Sequence, residues 1–214
     1  MKIGFDNNNA YLQGVNVRLC ADADISDLVN SKSIDDDQEI INRSMTEYSL
    51  DRDNYFYIPG RILHIDGDDE YLDRCMNFYK NVGIKANGIS LLEEDFSKNI
   101  GKLIEDYRPD IIVITGHDAY YSKRNNKEDL NNYQNSSNFV SAIKAARKYE
   151  KNQDKLIIIA GACQSNYEEL IKAGANFASS PKRINIHALD PAIIASSIAF
   201  SDKNKSIDLI KMVS

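Results

Sequence analysis

The chain has 214 residues, 43% of them hydrophobic, with a formal net charge of -6 at pH 7 and a pI near 5.1. That length suits one generous domain or a domain with an appendage, and the composition forces no disorder. The acidic balance excludes a general nucleic-acid partner, because no basic face is left to neutralise phosphates.

Three cysteines, Cys20, Cys75 and Cys163, occur without C-x-x-C or other metal-ligand spacing, so neither a disulfide framework nor a zinc site is expected. No run approaches the roughly 20 apolar residues of a membrane span, and the N-terminus lacks the apolar core of a signal peptide. A soluble intracellular protein without a metal or cofactor is the expectation.

Residues 1–57 carry the weakest patterning. Val15 to Leu19 alternates like a short strand, Asp35 to Tyr48 has Ile40, Ile41 and Met45 at helical spacing after an acidic start, and Asn7-Asn8-Asn9 has loop composition. The segment is expected to be an N-terminal extension packed on a main domain of residues 58–214.

From Gly60 the pattern becomes regular. Arg61 to Ile65 reads as a strand, Asp66-Gly67-Asp68 as a turn and helix cap, and Glu70 to Asn81 as a helix with Leu72, Cys75, Met76 and Tyr79 on one face. A second strand over Ile84 to Ile89 and a helix over Phe96 to Tyr107, stopped by Pro109, follow. Ile111 to Gly116 is a continuous apolar strand running into His117. Ser137 to Tyr149 is a crossover helix, and Leu156 to Ala162 a second apolar strand running into Cys163. A helix from Tyr167 to Ala173 ends at Gly174. Asn176 to Ser180 and Ile184 to Leu189 look like short strands, and Pro191 to Phe200 like a helix with proline in its first turn.

Strands alternating with helices in this way predict an α/β fold: a doubly wound, mostly parallel sheet flanked by helices, in a caspase-like or flavodoxin-like arrangement. The Asn-, Lys- and Ser-rich stretch 122–138 follows His117 and is either a mobile substrate lid or surface filler.

If the strands ending at His117 and Cys163 are parallel neighbours, both residues leave the sheet at the carboxyl edge, where open α/β sheets hold their ligands. A thiol becomes a good nucleophile when an imidazolium or a helix N-terminus stabilises its thiolate, and Cys163 is placed to have both. The Cys163 backbone N–H is an oxyanion donor, and His117 would protonate the leaving amine. A lone buried cysteine or histidine is more often a packing residue. The joint placement at two strand ends, each after an apolar run and a glycine, distinguishes this pair. His64 and His187 lie in apolar runs and read as structural; Cys20 and Cys75 read as packing residues. Tyr120 and Tyr121 either line the groove or pack beside it.

The 46-residue interval between His117 and Cys163 resembles the spacing of caspase-type cysteine peptidases. Three blocks narrow the resemblance: Thr115-Gly116-His117-Asp118-Ala119-Tyr120-Tyr121, Ala160-Gly161-Ala162-Cys163-Gln164-Ser165, and Ala175 to Arg183. Together they are similar to the YabG family of sporulation-specific cysteine proteases, over about Gly60 to Pro191. The resemblance implies a cysteine endopeptidase that cuts after arginine in spore coat and related precursor proteins, with self-processing. It also implies a place in the cytoplasm of the sporulating cell, associated with the developing coat.

The chain departs from the wider clan where Asp118, not glycine, follows the histidine. The second oxyanion donor is therefore either the Gly116 or the Asp118 backbone. Arginine recognition needs a carboxylate able to take a bidentate guanidinium. Asp66 ranks first, with Asp68, Asp118 and Asp190 as further candidates, Asp68 reading equally well as a helix cap. The alternative uses the same acidic turn. Ile65 to Leu72 resembles the start of a receiver domain, and a receiver-like or flavodoxin-like phosphoryl or small-molecule binding module would lack peptidase activity. No aspartate ends the His117 strand as a receiver requires, and no G-x-G-x-x-G loop follows any strand.

Overall fold

The computed structural model describes residues 2–6, 9–14, 20–29, 36–49, 58–121, 126–179, 181–182 and 186–201. Among the described residues there are two sheets. β1 (Lys2–Asp6), β2 (Asn9–Gln13) and β3 (Cys20–Asp24) form an antiparallel meander with β2 in the middle, and α1 (Asp37–Ser49) follows. The strand expected over Val15 to Leu19 lies outside the described residues. Asn9, expected in a loop, opens β2.

The larger sheet is built from β4 (Ile62–Asp66), β5 (Ala86–Ser90), β6 (Ile111–Thr115), β7 (Ile157–Ala160) and β8 (Phe177–Ala178). Between them run α2 (Asp69–Asn81), α3 (Phe96–Tyr107), α4 (Ser136–Tyr149) and α5 (Tyr167–Ala173), and α6 (Asp190–Phe200) closes the domain. All pairings in this sheet are parallel, in the order β5-β4-β6-β7-β8. Numbered within the sheet this is 2-1-3-4-5, the flavodoxin-type doubly wound order, whose topological switch point falls between the first and third strands. Here those are β4 and β6.

The apolar runs are continuous because both sheet faces are covered. Leu63, Ile65, Ile112, Ile114 and Ile158 pack with Phe96, Ile100, Phe139 and Ile143 of α3 and α4. Ile62, Ile111, Val113 and Ile159 pack with Phe78 and Tyr79 of α2 and Ala192 and Ala195 of α6, and Ile41 of α1 joins this second core.

Two expected strands are shifted or absent. β5 begins at Ala86, not Ile84, because Ile84 is still held at the end of α2, its N–H donating to the Tyr79 carbonyl at 2.9 Å. Over the described residues 186–189 there is a turn, not a strand. The Asp190 carboxylate accepts the His187 N–H at 2.8 Å while the Asp190 N–H returns to the His187 carbonyl. Three residues separate Cys163 from the start of α5, and Asn166 caps that helix by accepting the Glu169 N–H. Cys163 therefore sits in a turn, not at a helix N-terminus.

Among the described residues, polar contacts join the N-terminal segment to the larger domain. Gln13 Nε2 donates to Asp68, the Tyr71 hydroxyl donates to the Gly14 carbonyl at 2.7 Å, Arg74 forms a bidentate pair with Asp37, and His187 pairs with Asp36.

Candidate active site

The last paired residues of β6 and β7 are Ile114 and Ala160, and the Gly161 N–H extends the ladder to the Ile114 carbonyl at 3.0 Å. His117 and Cys163 each stand three residues beyond that pair. They therefore leave adjacent parallel strands at equivalent positions on the carboxyl edge, next to the switch point between β4 and β6.

His117 is held at three points. Its Nε2 lies 2.9 Å from Asp68 Oδ2, its backbone N–H donates to Glu93 Oε1 at 2.9 Å, and its carbonyl accepts from Asn135 Nδ2 at 2.9 Å. A carboxylate only accepts, so Nε2 carries the proton in this bond and Nδ1 is the basic nitrogen. The Tyr71 ring packs against the imidazole with centroids 5.7 Å apart.

Asp68 is the N-cap of α2. Its Oδ1 accepts the Glu70 and Tyr71 N–H groups, and its Oδ2 accepts from Gln13 as well as His117. The His117 hydrogen bond is the main reason its carboxyl titrates below the ordinary value of 3.8, against the opposing effect of burial. Asp68, expected either as an arginine ligand or as a helix cap, caps α2 and also pairs with His117.

Asp66, the first-ranked arginine ligand, is fully buried. Its Oδ1 accepts the Asp68 N–H at 3.0 Å and its Oδ2 the Thr115 hydroxyl at 2.7 Å. Since the Thr115 proton goes to Asp66, Thr115 Oγ1 must accept from His64 Nε2, and His64 Nδ1 then accepts from the Tyr79 hydroxyl. This buried chain props the end of β4 and leaves no oxygen of Asp66 at the surface. His64 is structural, as expected; His187 is only partly buried and its Nε2 is 3.1 Å from Asp36.

Asp118 fastens the loop after β6. It accepts the Ala119 and Asn135 N–H groups and the Ser136 hydroxyl, and Ser136 Oγ in turn accepts the Asn166 N–H at 2.8 Å. Burial pushes its carboxyl above the ordinary range. Asp190 opens α6 and holds the His187 turn. The loop expected to be lid or filler is partly packed: Asn132 and Tyr133 are buried, and Tyr120 bridges Tyr133.

Cys163 is only 2% exposed. Its Sγ accepts the Ile186 N–H at 3.4 Å and lies 4.0 Å from the Ile186 carbonyl. Its turn is closed by the Ala162 N–H donating to Ser165 Oγ and the Ser165 N–H to the Ala162 carbonyl. Gly161 has φ +109°, and a Cβ there would run into Leu170 and Ser179, so this approach to the thiol requires glycine. Gln164 Oε1 accepts the Tyr120 N–H at 3.1 Å and ties the cysteine turn to the histidine loop.

Sequence reasoning missed Glu93, Asn135, Gln13 and Ile186. Glu93 opens an acidic run, Glu93 to Asp95, just before α3, with the composition of a helix start; its carboxylate fills the space beside Gly67 and Gly116, where a Cβ would collide with it.

Among the described residues, Asp36, Asp37 and His187 bring metal-ligand atoms within 4.8 Å of one another. His187 Nδ1 accepts the Leu189 N–H, so Nε2 carries a proton toward Asp36, and both oxygens of Asp37 are bound by Arg74. That arrangement is an ion-pair cluster that does not suit a cation. No helix among the described residues is long and apolar enough to cross a membrane.

Residues 33–214 match the family described as YabG peptidase U57. The chain belongs to this family. It is 45% identical over 219 residues to the sporulation-specific protease YabG of Bacillus subtilis (strain 168), an alignment spanning 91% of this chain and 76% of that protein. As a member of the YabG peptidase family, the chain is an endopeptidase, a hydrolase acting on protein substrates. The receiver-like alternative finds no open acidic pocket in the turn after β4, where Asp66 is buried and Asp68 is bound to His117.

Proposed function

We propose that the chain is a cysteine endopeptidase working through Cys163 and His117. The observation that carries this reading is the equivalent placement of the two residues on β6 and β7, with Asp68 on the far nitrogen of the imidazole. Asp68 keeps the proton on Nε2, so Nδ1 takes the Cys163 thiol proton. The thiolate then attacks the scissile carbonyl carbon, and the carbonyl oxygen becomes an oxyanion. As the tetrahedral intermediate collapses, imidazolium Nδ1–H protonates the leaving amine and a thioester remains. His117 next deprotonates water, which attacks the thioester and releases the carboxylic acid product and the thiol.

The Cys163 backbone N–H is one oxyanion donor, and Gly116 or Asp118 supplies the other. The His117 N–H is not the second donor, because it is held by Glu93. Cleavage after arginine, in spore coat and precursor proteins within the sporulating cell, is carried over from the family resemblance and from the relative's description as sporulation-specific. Of the four expected arginine ligands, Asp68 and Asp190 are only partly buried, Asp66 is enclosed, and Asp118 fastens its loop. Self-processing follows if a segment of a neighbouring chain presents arginine to this edge.

Paired fluorogenic peptides differing only in Arg, Lys or Ala before the scissile bond test the reading. Arginine-selective turnover lost in both Cys163→Ala and His117→Ala, with unchanged far-UV circular dichroism, is the expected outcome. Turnover surviving either substitution removes that residue from the mechanism.

A further inference from the structure

We propose that Gln13 is a positioning residue of the active site: from the end of β2, its amide holds the Asp68 carboxylate in the orientation that His117 uses. The inference rests on the reading of His117 as the catalytic base. It also brings into the site a residue lying outside the family match over 33–214.

The argument begins with the valence of Asp68. A carboxylate offers about four lone-pair positions. Oδ1 accepts the Glu70 and Tyr71 N–H groups of α2, and Oδ2 accepts His117 Nε2 and Gln13 Nε2, both at 2.9 Å. Gln13 therefore fills the one position that helix and histidine leave. The backbone N–H groups fix one oxygen and Gln13 fixes the other against rotation.

Gln13 is itself well placed. It ends the central strand of the meander, paired with Lys2 on one side and Cys20 on the other. The next residue, Gly14, accepts the Tyr71 hydroxyl, and the Tyr71 ring packs on the His117 imidazole. The same tyrosine thus clamps the strand end and the base.

The electrostatic effect has a definite sign. The amide N–H places partial positive charge on the oxygen that faces His117, so it weakens that oxygen's pull on the imidazolium. The other groups facing the pair stay in place on removal of Gln13: Asp66 at the end of β4, Tyr71 on α2, Glu93 on the His117 N–H, Asp118 in the same loop, and Cys163 on the neighbouring strand turn. Loss of the amide should therefore move the acidic limb of kcat/KM upward. kcat should fall several-fold with little change in KM.

The test is an imidazole ¹⁵N NMR titration of the full chain in a Cys163→Ala background, which reads His117 without substrate and without the thiol. The chain has only three histidines, and His117→Ala assigns the signal. Gln13→Ala should displace the His117 curve to higher pH, and Gln13→Glu, nearly isosteric but anionic beside Asp68, should displace it further. The ring signals of His64 and His187 should be the same in the variants as in the parent. The same upward displacement should appear in the acidic limb of kcat/KM for the two Gln13 variants with Cys163 intact. An unchanged His117 titration in both folded variants overturns the proposal, as does a lowered melting temperature with an unaltered titration. A shifted His117 titration in protein whose turnover ignores His117→Ala would leave the Gln13 contact standing while rejecting the catalytic base on which its proposed role depends.

Discussion

Asp68 combines two tasks that are usually separate: it caps α2 through Oδ1 and orients His117 through Oδ2. Asp68→Asn separates them. It retains a cap acceptor but loses the charge that steadies the imidazolium, so kcat should drop on the order of 10²-fold or more while the fold persists. Steady-state kinetics beside thermal melts reads both. The same carboxyl titrates below 3.8 in the folded chain. Its contribution to stability is therefore complete above the unfolded value and is lost as pH falls through the lower folded value. Acid melts of Asp68→Asn should be flatter than wild type in that window below 3.8. The placement of His117 and Cys163 at neighbouring strand ends was legible in the sequence because each follows an apolar strand and a glycine. The partner of His117 was not, since Asp68 lies 49 positions earlier and its cap signature explains it fully without the histidine. Gln13 carried no pattern at all; only the folded meander brings it to Asp68.

At the scale of the elements, the loops after β6 and β7 are tied by Asp118, Ser136, Asn166, Gln164 and Tyr120. Asp118→Ala leaves the Asn135 and Ala119 N–H groups and the Ser136 hydroxyl without their acceptor. A loss of about 1–3 kcal/mol is expected in denaturant unfolding, with a fall in kcat as the histidine loop loosens from the cysteine turn. Burial raises the folded Asp118 carboxyl, so the native state holds this proton more readily than the unfolded chain. Stability from this group declines as pH rises from 3.8 through the folded value, the opposite sense to Asp68. Periodicity found α2, α3, α4 and α5 almost to the residue, because their apolar faces meet a sheet. It failed over the described residues 186–189, where the alternation of Ile184 and Ile186 reads as a strand. The reciprocal His187–Asp190 bonds make a turn in the described part of that stretch, a choice that alternation does not encode.

Across the whole molecule, the sheet order places the switch point between β4 and β6, so the Asp68 turn, the His117 loop and the Cys163 turn converge on one edge. The parallel, doubly wound class was readable from strand–helix alternation. The antiparallel meander was not, because β1 and β2 are short and the Asn7-Asn8-Asn9 run reads as loop. Arg74 joins α1 to α2 through a half-buried bidentate pair with Asp37, and the pair holds the guanidinium proton more tightly than an ordinary arginine does. That contribution is complete below the unfolded value, so it persists through the whole neutral range and only substitution removes it. Arg74→Ala leaves Asp37 beside Asp36 and should lower stability by about 1–3 kcal/mol, measured by chemical denaturation at neutral pH.

The central claim is that Cys163 is the nucleophile. Incubating the full chain with an arginyl chloromethyl ketone and mapping the adduct by peptide mass spectrometry tests it directly. One adduct is predicted, on the peptide containing Cys163. It should be absent in Cys163→Ala, form far more slowly in His117→Ala, and appear in step with loss of turnover. An adduct on Cys20, Cys75 or a serine, or inactivation that proceeds unchanged in Cys163→Ala, would contradict the account.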